Sequence, residues 1–323
     1  MTWIRWMAIS AVTVLALMYG CDGKYFYDLS SDLARMRAGL HIKSVSLGGH
    51  LHMEYAENTR TDPPTLVLLH GFSAQKEVWY PLARYVHRDD HLVIPDLIGD
   101  GESSHPMELD YSIEAHADRL HLFLTRLGIR HPILVGNSLG GSISLAYASR
   151  YPVEKLILID PLGLERVPSA LQKLGTHKAK ELFLGICDRE RMEHLIKVIY
   201  HDPPYIPGIM LDYMARQKCR LSTLDVRKSH SIYRADGAWV FAERIPEYAQ
   251  AVSVPTLILW GDQDRINNPE NAAAFHRLIA GSTLRFIKGA GHVPMMEAPR
   301  ETARLVRDFL EVHAAPHPKG SPL

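Results

Sequence analysis

The chain has 323 residues, with 36 Lys and Arg against 36 Asp and Glu, so its formal net charge is zero. Apolar content is an ordinary 46%, and nothing in the charge pattern suggests nucleic-acid binding or an acidic tail. The length suits one large domain or a domain carrying an insertion.

Three cysteines, Cys21, Cys187 and Cys219, are too few for a disulfide framework. Cys187 and Cys219 could pair or remain two free thiols. The 18 histidines are scattered, and none stands in the HExxH spacing of a helical zinc site.

In chain order, Arg5 comes first, followed by an uncharged run from Trp6 to Gly20. A bilayer span needs about 20 apolar residues, so this run better fits the apolar region of a signal peptide. It ends in Leu17-Met18-Tyr19-Gly20-Cys21, which resembles a bacterial lipobox. That resemblance implies lipidation of Cys21; Gly20 fits the pattern, while Met18 and Tyr19 depart from it. Asp22 then resembles an inner-membrane retention signal of enteric lipoproteins. The rivals are an uncleaved anchor starting as early as Trp3, and plain secretion. The first two readings tether the domain to a membrane surface, outside the cytoplasm in a bacterium.

Residues 22–40 read as a tether with helical character. Ile42–Leu47 and Leu51–Tyr55 alternate around Gly48-Gly49, as an antiparallel hairpin does. Unbroken apolar runs follow at Thr65–Leu69, Leu92–Ile94, Pro132–Val135, Leu156–Ile159 and Thr256–Trp260. Runs apolar on both faces suit parallel strands covered by helices on each side. The clearest helix between them carries Ile113, Ala117, Leu120, Leu124 and Leu127 and stops at Gly128. Strands alternating with helices imply right-handed crossovers and a doubly wound, mostly parallel sheet.

The alternation breaks after Asp160. Helical patterns dominate from Pro161 to Tyr248, interrupted by His201–Pro207. Thr283–Ile287 gives a last strand, and Glu301–Val312 a last helix. The expected organisation is a leader at 1–21, an α/β core at 22–160 and 249–313, a helical cap at 161–248, and a disordered tail at 314–323. Met192, Ile196, Ile206, Met210 and Met214 could line a pocket in the cap, but their helical spacing reads first as core.

The chemistry centres on Gly136-Asn137-Ser138-Leu139-Gly140, between a strand and a helix. This context is that of a nucleophile elbow, a turn tight enough to need glycines beside the serine. A serine hydroxyl needs a base and a carboxylate to orient the base. His292 is assigned as base and Asp264 as acid, both in loops at strand C-terminal ends, where ligands bind in open parallel sheets. Asp262 is the rival acid. The oxyanion donors are assigned as the N–H groups of Leu139 and Phe72, the latter in the loop after the first parallel strand. His70 reads as a support for that loop. Asp96–Ser103 reads as a tight glycine-bearing loop beside the site. No metal or organic cofactor is required.

These residues resemble the α/β-hydrolase superfamily over roughly Ile42 to Val312. The matching motifs are HGF (His70–Phe72), DLIGDGES (Asp96–Ser103), GNSLGG (Gly136–Gly141), WGDQD (Trp260–Asp264) and GHVP (Gly291–Pro294). LHGFSAQKEVW (Leu69–Trp79) is similar to membrane-anchored monoacylglycerol lipases. With DPPYIP (Asp202–Pro207) and GHVPMMEAP (Gly291–Pro299), it is also similar to family V bacterial lipases. The resemblance implies hydrolysis of an acyl ester or acylglycerol through an acyl-enzyme, with a cap lining the acyl pocket. Alternatives on the same fold are a C–C hydrolase of meta-cleavage products, a small-ester carboxylesterase and a non-catalytic binding protein.

Overall fold

The computed structural model describes residues 23–61, 64–86, 90–164, 182–232 and 243–313. The leader, Cys21, two stretches of the helical insertion and the tail from Ala314 lie outside the described residues. Among the described residues, no helix is long and apolar enough to cross a membrane.

The framework is an eight-stranded sheet in the order β1-β2-β4-β3-β5-β6-β7-β8. Strands β1 (His41–Gly48) and β2 (Leu51–Glu57) form the expected hairpin, in register from His41↔Glu57 to Ser46↔His52 and shifted by one residue at Gly48↔Leu51. Gly48 and Gly49 turn it at φ of 104° and 56°, angles that cost glycine little. Strand β2 is antiparallel to both its neighbours, β1 and β4.

All the other pairings are parallel: β3 (Thr65–Leu69), β4 (His91–Pro95), β5 (Ile133–Asn137), β6 (Lys155–Ile159), β7 (Thr256–Gly261) and β8 (Thr283–Ile287). Strands β3 to β7 are buried at every residue, as their unbroken apolar runs require. Edge strand β8 is only partly covered.

Alternate residues of each strand feed two separate cores. On one face Val67, Leu69, Leu134, Leu156, Leu158 and Ile258 pack with Phe123, Ile143, Tyr147 and Phe275. On the other, Leu66, Leu68, Ile133, Val135, Ile157 and Leu257 pack with Trp79, Leu82, Val306 and Phe309. Each fully buried Leu or Ile contributes about 1.5–3 kcal/mol.

The covering helices are α1 (Gly23–Arg37), α2 (Tyr80–Ala83), α3 (Ile113–Arg126) and α4 (Leu139–Ala148), then α5 (Arg189–Ile199), α6 (Gly208–Arg220), α7 (Ser222–Ser229), α8 (Ile245–Ala251), α9 (Ala272–Leu278), α10 (Pro294–Glu297) and α11 (Pro299–Val312). Helix α3 starts at Ser112, whose hydroxyl accepts the Ala115 N–H. That cap satisfies one of the orphan donors of the first turn.

Helices α5 to α8 lie between β6 and β7. Met192 and Ile196 are buried in a small core of the insertion's own, with Leu195, Leu211 and Ala215, and Ile206 and Met214 pack against it. Met210 is half-buried and outside that cluster.

The helical character read at residues 22–40 is realised as a helix packed on α6: Tyr27 meets Tyr213, and Gly23 lies so close to Ile209 that a Cβ would stand 2.0 Å from its carbonyl oxygen. Cys187 and Cys219, left open above, form a disulfide across a separation of 32 residues. Closing a loop of that size removes unfolded-state entropy worth about 3–4 kcal/mol.

Candidate active site

The chain passes from β3 to β4 on one side and then to β5 on the other, so the sheet has a switch point at the C-terminal ends of β3 and β5. Crevices in open parallel sheets form at such points. Ser138 stands directly after β5, at φ 54° and ψ −119°, a conformation rare for any residue with a Cβ.

The surroundings over-determine this strained turn. Ser138 N–H donates to Ile159 O at 3.0 Å, and its carbonyl accepts the Gly141 N–H at 3.0 Å. A Cβ on Gly136 would lie 2.3 Å from Gly140 O, and one on Gly140 would lie 2.3 Å from Leu69 O. Those approaches explain both glycines. Leu139 is the first residue of α4, so its N–H is among the donors that a helix leaves without an internal partner.

His292 Nδ1–H donates to Asp264 Oδ2 at 2.8 Å. The other carboxylate oxygen, Oδ1, accepts the N–H groups of Ile266 at 2.7 Å and Asn267 at 3.0 Å. Asp264 is therefore fixed on both sides and aimed at the imidazole. Asp262 serves elsewhere, accepting the Gly289 N–H at 2.7 Å. The loop carrying His292 is held by its own backbone, with His292 N–H on Ile199 O at 2.8 Å. Asn137, the residue before Ser138, donates from Nδ2 to His292 O at 3.1 Å. Ser138, Asp264 and His292 are all buried.

His70 uses both ring nitrogens internally. Nδ1–H donates to Gly71 O at 2.8 Å, and Nε2 accepts the Leu97 N–H at 3.0 Å. It cross-braces the loops after β3 and β4 and has no nitrogen left to act as a base. A Cβ on Gly71 would lie 3.2 Å from Ser138 Cβ, so the loop leading to Phe72 abuts Ser138. In the Asp96–Ser103 loop, a Cβ on Gly101 would fall 2.1 Å from the Asp96 carboxyl group. The Asp96 carboxylate instead accepts the Glu102 N–H at 2.9 Å and folds the loop over itself.

Asn137 and Asp160 carry no assignment from sequence. Asp160 follows β6 at φ 48° and is fully buried. Its Oδ1 accepts the Gly261 N–H at 2.9 Å, and its carbonyl accepts from Asn267 Nδ2 at 2.8 Å. Burial first, and the neighbouring Asp264 charge second, push the Asp160 carboxyl well above the usual carboxylate range. The two carboxyl groups lie close enough that ionising both is disfavoured. Only the pairing of β6 with β7 brings the two acids together, and no local motif announces it.

Residues 66–305 match the alpha/beta hydrolase family. "Lipase 1" of Psychrobacter immobilis is 35% identical over 283 residues, covering 86% of each chain. "Monoacylglycerol lipase ABHD6" of Homo sapiens is 28% identical over 294 residues, covering 85% of this chain and 84% of its own. Among solved structures, a membrane phospholipase A described as a bacterial virulence factor superposes with a TM-score of 0.82 at 27% identity, covering 97% of this chain and 98% of that one. The sheet order, the turn at Ser138 and these relatives lead to one assignment: the chain belongs to the α/β-hydrolase family.

Proposed function

We propose that the chain is a serine hydrolase of lipid carboxylic esters, a lipase or monoacylglycerol lipase, acting through an acyl-enzyme. The observation that carries this reading is the His292–Asp264 hydrogen bond of 2.8 Å beside a serine at φ 54°. Ser138 Oγ attacks the ester carbonyl while His292 takes its proton. Asp264 holds the imidazole in the tautomer that leaves Nε2 free to accept, and stabilises the imidazolium. The N–H groups of Phe72 and Leu139 receive the oxyanion; one such donor is worth about 3–4 kcal/mol in the transition state. His292 then protonates the leaving alcohol and later activates water for deacylation.

The lipase and monoacylglycerol-lipase relatives support an acylglycerol or similar lipid ester as substrate. The helical insertion acts as a cap over the acyl chain. A membrane tether through the N-terminal segment, lipidated at Cys21 or uncleaved, brings the enzyme to that substrate. The Cys187–Cys219 disulfide supports a location outside the cytoplasm, since such bonds persist in oxidising compartments.

The test is hydrolysis of p-nitrophenyl esters from acetyl to palmitoyl, beside monoacylglycerol and trioleoylglycerol, with Ser138→Ala as control. Turnover peaking at medium or long chains and lost in Ser138→Ala is expected. A peak at acetyl would replace the lipid substrate with a small ester. Absence of any Ser138-dependent ester turnover would overturn the reading, and a meta-cleavage dienoate would be tried next.

A further inference from the structure

Two lysines of the helical insertion, Lys228 buried and Lys218 half-buried, pack against the loop that carries Phe72. Lys218, on α6, places its ammonium on the Ser73 carbonyl oxygen and 2.6 Å from Ser73 Oγ. The Ser73 hydroxyl donates to Asp225 Oδ2 on α7 at 2.6 Å. Lys228, later on α7, pairs with Asp225 Oδ1 at 2.8 Å and Asp100 Oδ1 at 2.5 Å, and donates to Gly99 O at 3.0 Å. Its ammonium lies 5.2 Å from the centroid of the Phe72 ring. Phe72 is thus gripped on its ring by one lysine, while the residue after it is gripped by the other.

The arrangement is costly, which argues that it does something. Burial disfavours the charged form of both lysines. At Lys228 the Asp100 and Asp225 charges outweigh it and raise the pKa, whereas at Lys218 burial wins and the pKa falls. Ser73 sits at φ 51°, a left-handed conformation that costs a non-glycine residue about 1–2 kcal/mol. A serine in a plain surface turn would need no such clamp. Here the clamp holds the peptide next to Phe72 in an orientation it would not otherwise keep. Cys219 follows Lys218 directly, and its disulfide to Cys187 fixes this end of α6 to the segment entering α5.

We propose that the Lys218–Ser73–Asp225 contact is a latch through which the helical insertion sets the Phe72 N–H for the oxyanion, with the Cys187–Cys219 disulfide holding Lys218 in place. Lys218, Ser73 and Asp225 are positioning residues, acting through Phe72. The inference rests on Phe72 being an oxyanion donor, as proposed above. It makes the insertion part of the transition-state machinery as well as a cover for the acyl chain.

The experiment uses the described enzyme with its disulfide intact, p-nitrophenyl butyrate as substrate, and a trifluoromethyl ketone as a tetrahedral, oxyanion-bearing inhibitor. Removing one oxyanion donor lowers kcat by about 10²–10³-fold. Lys218→Met and Ser73→Ala are expected to lower kcat by roughly 10–100-fold, since they misplace the donor rather than delete it. KM should change little, and ketone affinity should weaken by the same factor as kcat. Lys218→Arg, which keeps the charge and donors, should recover part of the loss.

The Cys187→Ser/Cys219→Ser pair should lower kcat in the parent and add little in Lys218→Met, because the two act through one contact. Unchanged kcat and ketone affinity in Lys218→Met and Ser73→Ala would overturn the latch, as would a rise in KM alone. Fully additive losses would remove the disulfide from it. Ser138→Ala runs in parallel: its inactivity keeps the reading of the site standing whatever the latch variants do, and its activity would sink that reading first.

Discussion

Two aspartates occupy equivalent places in the sheet and behave in opposite ways. Asp96 directly follows β4 and Asp160 directly follows β6, and both are fully buried. Asp96 has a permanent cation beside it. Its Oδ2 binds Lys76 Nζ at 2.7 Å and its Oδ1 accepts the Lys76 N–H at 2.7 Å. Lys76 also reaches Glu54 at 2.9 Å and Glu77 at 3.3 Å.

That crowding of acid has a consequence for Glu77. Burial, then repulsion from Asp96, pushes its carboxyl up to about 7. Among the described residues no lysine pairs with Asp160, whose Oδ1 accepts one backbone N–H and which faces Asp264, itself bound to the His292 imidazole. A buried acid with a fixed cation is a strut. A buried acid set against a second acid has its charged form disfavoured, and that ties it to the electrostatics of the site.

The largest expected effect comes from breaking the Asp160–Asp264–His292 row at its centre. Asp264→Asn should lower kcat/KM on p-nitrophenyl butyrate by about 10⁴-fold while leaving the fold intact, because the amide favours the wrong imidazole tautomer. Retention of more than a tenth of the activity would separate Asp264 from the chemistry.

Next is the strut. Asp96→Asn leaves Lys76 buried among weaker partners and should cost about 3 kcal/mol in urea unfolding. The activity of the folded fraction should change little. A collapse of kcat without loss of stability would invert the comparison.

Asp160→Asn should show itself chiefly in pH dependence. The folded pKa of Asp160 is raised, so the native chain keeps a proton that the unfolded chain releases above about pH 4. Stability contributed by this group is therefore lost as pH rises above that value. Asparagine has nearly the same shape and cannot titrate. The variant's urea midpoint should fall less steeply than the parent's between pH 5 and 8, with turnover at pH 7 within about five-fold, the loss of roughly one neutral hydrogen bond. Parallel pH curves for the two proteins would show that Asp160 carries no extra proton.

Smallest of all is Asp262→Asn. The contact of its carboxylate with the Gly289 N–H is exposed. Turnover should stay within about two-fold, and stability should change by about 1 kcal/mol or less.

The sheet was legible because parallel strands buried on both faces leave unbroken apolar runs, and β3 to β7 all carry them. Ser138 was legible because its glycines answer to local clashes with Gly140 and Leu69. The His292–Asp264 contact could be anticipated from chain order and from the place of both residues after strands, with Asp264 preferred to Asp262 for its depth within the loop. What sequence could not supply was proximity across strands and across the insertion. Asp160 meets Asp264 only because β6 lies beside β7. Lys218 meets Ser73 across 145 residues. Helix α1 read as a helical tether because the face that packs on α6 is built from tyrosine and glycine rather than an aliphatic stripe.

The proposed chemistry turns on a covalent acyl group on Ser138, and the direct measurement is rapid quenching of a p-nitrophenyl butyrate burst followed by peptide mass mapping. The expected result is a butyryl adduct on the peptide bearing Ser138, formed as fast as the nitrophenol burst and absent in Ser138→Ala. Ester turnover with no adduct on Ser138, or undiminished turnover in Ser138→Ala, would overturn Ser138 as the nucleophile.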